Sequence, residues 1–369
     1  MQLAGAQQMQ LKRGAEILPR ADGGPVVRLD QCRRCGAATM WGNAMKFLSR
    51  RLVLGLAVSL GLLPSAASLA ADNPDTITID WATYNPVSML LKDKGWLEEE
   101  FAKDEISIHW VQSLGSNKAL EFLNAGSIDF GSSAGAAALV SKINGNPIKS
   151  VYVFSKPEWT ALVTAKDSGI NSVADLKGKS VAVTRGTDPH IFLVRALQGV
   201  GLTEQDITPV LLQHPDGATA LVRGDVDAWA GLDPMMANVE LNEGARLFHR
   251  DADANTYGIL STREAFLEQH PDLVKRVLVV YENARKYALD HPDELKASFV
   301  AATKLADAVA DKQLNERTDL SNGVIGEAQR ESILQAGLAL QKAGVIEPGI
   351  DVQNVLDDLV ADGYVPVGN

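Results

Sequence analysis

Four short polar loops carry the residues best suited to chemistry: Thr83-Tyr84-Asn85, Gly115-Ser116-Asn117, Gly131-Ser132-Ser133 and Arg185-Gly186-Thr187-Asp188. Each follows a β-branched run and precedes an amphipathic stretch, so each reads as a turn from a strand into a helix. A helix start offers unpaired N–H groups and the positive end of a dipole, and both attract anions. Asn85, Ser116, Ser132, Ser133 and Thr187 can add hydroxyl or amide donors, and Arg185 and His190 lie beside them. Trp229, at the end of a short strand, can stack on an apolar part of a ligand. Asp233, before Pro234, opens a further helix. The same side chains are ordinary helix caps. What favours a binding site is their shared position beyond the ends of successive strands.

A second chemistry is open at the same place. Gly131-Ser132-Ser133-Ala134-Gly135 matches G-x-S-x-G, with a strand before it and a helix after it, which is the setting of a hydrolase nucleophile elbow at Ser133. An acid and then a late His would have to follow. The last His is His291, in a helix-rich region, and no H-G-G-G-like oxyanion segment precedes the motif. No P-loop, H-E-x-x-H or paired-Cys metal site occurs after residue 70, so neither a cofactor nor a metal is expected.

The elements that must position these loops alternate strand and helix. Strands are expected at Thr76–Trp81, Ile106–Gln112, Ile128–Gly131 and Lys149–Phe154, with helices at Pro86–Lys103, Ser116–Ala125 and Ala134–Asn144. After Lys156-Pro157 the rhythm restarts. Strands are expected at Thr160–Ala165, Ser180–Thr184, Ile207–Gln213 and Ala228–Gly231, and helices at His190–Leu197, Ala218–Arg223 and Met235–Asn242. A strand at Tyr257–Ser261 then leads into a helical tail that opens with Pro271–His291. This rhythm predicts an α/β fold of two lobes, each a mainly parallel sheet flanked by helices. Leu123-x-x-Gly126 and Leu221-x-x-Gly224 mark equivalent helix-to-strand junctions in the two halves. With crossings near Val151–Thr160 and Asn255–Tyr257, lobe one takes 72–155 plus 258–369 and lobe two takes 156–257. A cleft between two such lobes is a preferred ligand site.

The chain has 369 residues, 35 Lys+Arg and 46 Asp+Glu, and a net charge of −11, which argues against a general nucleic-acid binder. The charge is uneven, because residues 1–70 hold nine basic and three acidic side chains. From Met45 the sequence has a basic start (Lys46, Arg50, Arg51), an uncharged apolar run Leu52–Leu63, and small residues through Ser68-Leu69-Ala70. That is the three-part pattern of a cleaved signal peptide over 45–70. Residues 1–44, with Cys32 and Cys35, are expected to be an upstream extension absent from the mature protein. Those two are the only cysteines, so the mature chain has no disulfide and must rest on its core.

Gly126-Ser127-Ile128-Asp129-Phe130-Gly131-Ser132, Val173-Ala174-Asp175-Leu176-Lys177-Gly178-Lys179 and Val226-Asp227-Ala228-Trp229 lie in that order. Together they resemble the periplasmic substrate-binding proteins of ABC importers, in the aliphatic-sulfonate, taurine and nitrate branch. The resemblance covers about residues 75–345 and implies a type II periplasmic-binding fold. It also implies a monomer that catalyses nothing, takes a small organic anion such as an alkanesulfonate, and delivers it to an inner-membrane ABC permease. Nitrate, taurine or a thiamine-precursor-like heterocycle are alternative solutes for the same fold. Ser132 and Ser133 of lobe one, and Gly186, Thr187 and His190 of lobe two, match the family's ligand positions. Two departures stand out: Asp188-Pro189, where Asp188 brings a negative charge near the expected anion, and Met235-Met236, in place of an aromatic pair.

N-terminal sequencing of the protein recovered from the periplasm should start at Ala71 or a few residues from it. Full-length cytosolic protein that retains Cys32 would contradict the export reading.

Overall fold

The computed structural model describes residues 73–364. The upstream extension, the signal peptide over 45–70 and the last five residues lie outside the described residues. Eleven strands are described in order: β1 (Thr76–Trp81), β2 (Ser107–Gln112), β3 (Phe130–Ala134), β4 (Ile148–Pro157), β5 (Leu162–Thr164), β6 (Ser180–Val183), β7 (Thr208–Leu211), β8 (Ala228–Ala230), β9 (Arg246–His249), β10 (Gly258–Arg263) and β11 (Thr318–Asp319). The helices of the strand–helix units are α1 (Pro86–Lys94), α2 (Trp96–Phe101), α3 (Ser116–Asn124), α4 (Gly135–Ile143), α5 (Asp188–Gly199), α6 (His214–Arg223) and α7 (Met235–Asn242). The tail adds α8 (Glu264–Gln269), α9 (Pro271–Asp290), α10 (Pro292–Thr303), α11 (Asp307–Asp311), α12 (Glu327–Lys342) and α13 (Val352–Leu359).

Local chemistry accounts for most of these boundaries. Proline sits in the first turn of α1, α5, α6, α9 and α10, where its missing N–H costs nothing. Asn85 caps α1, its Oδ1 accepting from the Ser88 N–H at 3.1 Å. The single helix expected over Pro86–Lys103 is broken at Gly95, which ends α1 in the left-handed conformation. Gly126 and Gly224, the paired junctions of the two halves, share left-handed φ values of 68° and 77°.

The strands form two mixed sheets, ordered β11-β4-β10-β3-β1-β2 and β7-β6-β8-β5-β9. The pairings of β1 with β2 and β3, and of β6 with β7 and β8, are parallel. The expectation of mainly parallel sheets holds for strand direction. It needs correcting for β10, β5 and the short β11, each of which pairs antiparallel with every neighbour it has. β10 and β5 are the first strands after each passage of the chain between sheets. Each enters its sheet from the crossing side, and so runs against strands that end there. The first core gathers Ile77, Ile79, Phe130, Val153, Ile259 and Leu260 under the tail helices. The second is split by its sheet, with Leu162, Val181 and Phe192 on one side and Val163, Ala182 and Trp229 on the other.

The chain crosses between the sheets twice, over 158–161 and 250–257. Asn255 joins the crossings: its Oδ1 accepts from the Thr160 N–H at 2.9 Å. Asp188, the first residue of α5, is buried against both. One carboxylate oxygen accepts from Trp159 Nε1 at 2.8 Å and from the Thr256 N–H at 2.9 Å, and the other accepts from Thr256 Oγ1 at 2.8 Å. The carboxylate therefore does not oppose an anion, as the sequence suggested; it ties α5 to the crossings. A third link comes from the tail. Buried Arg317 reaches α7, donating to both oxygens of Asp233 at 3.2 Å and to Glu240. The tail thus touches both sheets, and α12 and α4 also pack on α5.

Asp188→Ala would leave Trp159 Nε1 and the Thr256 N–H buried without an acceptor. Each such group costs about 1–3 kcal/mol, so urea unfolding should show a loss of roughly 2–5 kcal/mol. Unchanged stability would mean that the clamp is unimportant.

Candidate functional site

In both sheets the strands that run together end at helix starts: β1 feeds α1, β2 feeds α3, β3 feeds α4, β6 feeds α5 and β7 feeds α6. The polar loops of the sequence lie at these junctions. The structure separates them into side chains spent on the scaffold and side chains left without a partner.

Asn85 and Ser132 belong to the scaffold. Both are fully buried. Asn85 Nδ2 donates to Ser132 Oγ at 2.8 Å and to the Tyr281 hydroxyl at 3.2 Å. Ser132 in turn donates to Asp80 Oδ1 from its hydroxyl at 2.8 Å and from its backbone N–H at 2.9 Å. The Ser116 hydroxyl accepts from the Ala134 N–H at 3.0 Å, which ties α3 to the end of β3. The Thr187 hydroxyl turns back to the Thr184 carbonyl at 2.6 Å. Asp233 caps α7 through the Ala237 N–H at 2.8 Å and pairs with Arg317. Burial pushes its carboxyl up to about 6 in spite of that pairing. Arg185 is exposed and pairs with Glu204 at 3.3 Å, and buried His190 meets the same Glu204 oxygen at 3.2 Å. That pair lies on the outer side of α5, along a groove that Lys342 and Gln198 also line.

A different set of buried polar atoms has no hydrogen-bond partner among the described residues: Ser133 Oγ, Asn117 Oδ1, Gln213 Oε1, both ring nitrogens of His214, and Trp229 Nε1. Several of them converge where the two sheets' helix starts face each other. A carbon added to Gly115 would lie 2.9 Å from Asn117 Oδ1 and 3.0 Å from His214 Nε2. The second sheet's His214 therefore reaches across to the start of α3. Gly186 approaches Asn117 from the same side, with 3.7 Å between the corresponding carbon and Asn117 Cβ. A carbon on Gly217 would lie 2.7 Å from Trp229 Nε1, which places that indole N–H at the first turn of α6. Gly217 is three residues beyond His214, on the same face of the helix. Ser133 lies on the face of β3 opposite the bonded Ser132, one residue before Ala134, which Ser116 holds. The result is a polar cage whose own free atoms carry no formal charge, with the Asp80 carboxyl, one oxygen of it unpartnered, lying beneath Ser132. Its donors and helix starts can hold an anion, and its acceptors can orient hydroxyl or amine groups.

The cage takes in Ser133, Gly186 and Trp229 from the sequence expectation; Asn85, Ser116, Ser132, Thr187 and Asp233 are bonded internally, and Arg185 and His190 lie outside it. Gln213 and His214 lie outside that expectation, which ends a strand at Gln213 and starts the next helix only at Ala218, whereas α6 begins at His214. Pro215 and Asp216 in a first helical turn were the available signal. Ser133 has ordinary extended strand geometry, whereas a nucleophile elbow is strained; among the described residues only Glu105 and Lys304 are non-glycine with positive φ. No imidazole accepts from its hydroxyl. No group of three or more His, Cys, Asp or Glu is placed to hold a metal, and no helix is long and apolar enough to cross a membrane, among the described residues.

Asp80, beneath Ser132, offers a pH test. Burial, only partly offset by the Ser132 hydrogen bonds, raises its carboxyl from 3.8 to about 6. The folded chain thus binds this proton more tightly than the unfolded chain. The contribution to stability is full below the unfolded value and is lost as pH rises through the folded one. That span corresponds to roughly 3 kcal/mol. Asp80→Asn keeps one acceptor oxygen for Ser132 and removes the charge. Thermal melts should show it matching the parent near pH 4 and exceeding it above about pH 7. A parent-like pH profile would show that Asp80 titrates normally.

Comparisons with known proteins agree with this fold. A family model described as NMT1/THI5 like matches residues 89–295. An Escherichia coli (strain K12) protein named for aliphatic sulfonate binding is 32% identical over 238 residues, 63% of this chain and 74% of that one. One from Bacillus subtilis (strain 168) with the same name is 28% identical over 273 residues, 73% of this chain and 82% of that one. The alkanesulfonate-binding protein SsuA from Xanthomonas axonopodis pv. citri, solved bound to MOPS, shares the fold with a TM-score of 0.71 at 24% identity, over 78% of this chain and 99% of that one. Enzymes also share the likeness. A 4-amino-5-hydroxymethyl-2-methylpyrimidine phosphate synthase of Aspergillus parasiticus is 24% identical over 262 residues, 66% of this chain and 75% of that one.

Proposed function

The chain belongs to the NMT1/THI5-like family, and on that premise we propose that it is the periplasmic solute-binding component of an ABC importer, capturing an alkanesulfonate between two lobes. The lobes are residues 72–155 with 258–369, and 156–257. The observation that carries the reading is the cage of unpartnered polar atoms between the two sheets, with helix starts of both aimed into it. A sulfonate is a compact, permanent anion with three acceptor oxygens. The indole, hydroxyl and imidazole donors together with helix N-termini match it without a buried counter-charge. Burying a strong cation in such a cage would carry a large desolvation cost while the site is empty.

Capture rather than catalysis is the expected outcome. Ser133 serves as a donor, and a fluorophosphonate probe should leave it unlabelled. The donors come from both sheets, so a ligand that touches all of them favours the closed arrangement through its differential affinity. The closed complex is then the form presented to an inner-membrane permease.

Calorimetric titration of the mature protein against 1-butanesulfonate, taurine, nitrate, acetate and a neutral heterocycle tests the reading. A sulfonate should bind best. Trp229→Phe removes the indole N–H together with part of a fully buried ring, so in the folded variant sulfonate affinity should fall by at least the roughly five- to a hundred-fold that loss of a hydrogen bond to a charged group gives. Unchanged affinity in that variant would move the site elsewhere. Binding of the heterocycle alone would overturn the anion assignment.

A further inference from the structure

His214 stands apart from the other donors of the cage because it can change its charge. It begins α6, its exposure is zero, and both of its ring nitrogens lack a partner among the described residues. Its Nε2 edge faces Gly115 at the start of α3, across the junction of the two sheets. An imidazole usually enters a protein interior with at least one nitrogen bonded, because an unpartnered buried polar group costs about 1–3 kcal/mol.

The surroundings hold nothing that would balance a charge on this ring. On α6 itself, Asp216 and Arg223 are exposed. On α3, Lys118 pairs with Glu121 at 2.6 Å on the outer surface. On α7, Glu240 is engaged by Arg317 and Lys312. In the loop before α5, Arg185 pairs with Glu204, and at the start of α5 Asp188 is held at the crossings. The strands β6 and β8, which pack on α6, carry no titratable side chain. Burial alone acts on His214 and pushes it down to about 3, so with the cage empty the ring is neutral. An anion enclosed beside it reverses that balance, because an opposite charge at hydrogen-bonding distance favours the charged form.

We infer that closing the cage over an anion draws one proton from solvent onto His214, so that the anion is held as an ion pair with an imidazolium as well as by neutral donors. This inference rests on the anion-binding reading above. The proton leaves with the anion when the lobes part. The importer's binding protein would therefore carry a neutral pair, and acidification of its surroundings would strengthen capture.

The test is calorimetric titration of the mature protein with 1-butanesulfonate at about pH 7.5 in phosphate and in Tris, whose ionisation heats differ widely. The sulfonate does not titrate, so any buffer dependence of the heat reports a proton taken up by the protein. The expected result is uptake of about half to one proton per anion, with affinity falling by up to about tenfold per unit as pH rises above 7. His214→Gln, which keeps a donor but not the charge, should bind more weakly and show neither effect. Should that variant not fold, the parent's heats still decide. Butanesulfonate binding with heats independent of buffer overturns the inference and leaves the anion site standing. Uptake that persists in a folded His214→Gln protein places the proton elsewhere, on Asp80 for instance, and also overturns it. The absence of any sulfonate binding overturns both readings.

Discussion

One buried carboxylate sets the geometry on which the candidate site depends. Asp188 opens α5 directly beside Gly186 and Thr187, and its oxygens are bonded to Trp159 and Thr256, one on each crossing between the sheets. The helix start that faces the cage is therefore fixed to the two segments that join the sheets. Burial still raises the Asp188 carboxyl above its ordinary value, in spite of these donors and the nearby Lys156 ammonium. A carboxylate held against its own desolvation in this way is costly to misplace. It is also a precise anchor, because both oxygens have designated donors, three in all.

The same division between committed and free groups runs through the site. Asp80, Ser132, Asn85 and Tyr281 form a network that shapes the first sheet's face of the cage, with only Asp80 Oδ2 left without a partner. Asn117, Ser133, Trp229 and His214 sit just beyond it with free atoms. Rigidity in the first set gives direction to the second. A donor that is held in place by its neighbours needs little reorganisation when charge arrives, which is the condition for strong electrostatic binding at low formal charge.

Sequence alone carried much of this. The strand–helix rhythm, the restart after Pro157 and the helix starts rest on local chemistry: proline in a first turn, small polar caps, glycine at a helix end. Such signals survive reading one residue after another. The free donors were not legible in that way. Ser132 and Ser133 are adjacent and chemically alike, yet one is consumed by Asp80, 52 residues earlier, and the other is not. Arg185 and His190 looked suited to an anion until Glu204 occupied both. His214 fell between the expected strand and the expected helix, where α6 begins. In each case the deciding partner was distant in sequence and near only after folding.

The placing of β10 has a consequence for the order in which the molecule can assemble. The strands of the second sheet span a continuous stretch, 162–249, and every pairing they need is present once that stretch is made. The first sheet differs, for β10 inserts between β3 and β4, and neither of those is paired with the other. Its centre stays open until residues 258–263 arrive, more than a hundred residues after β4 begins. Closing so long a loop is slow, because entropy is lost before contacts are gained. The smaller sheet is thus equipped to fold first, while the larger one waits for the last third of the chain to complete it.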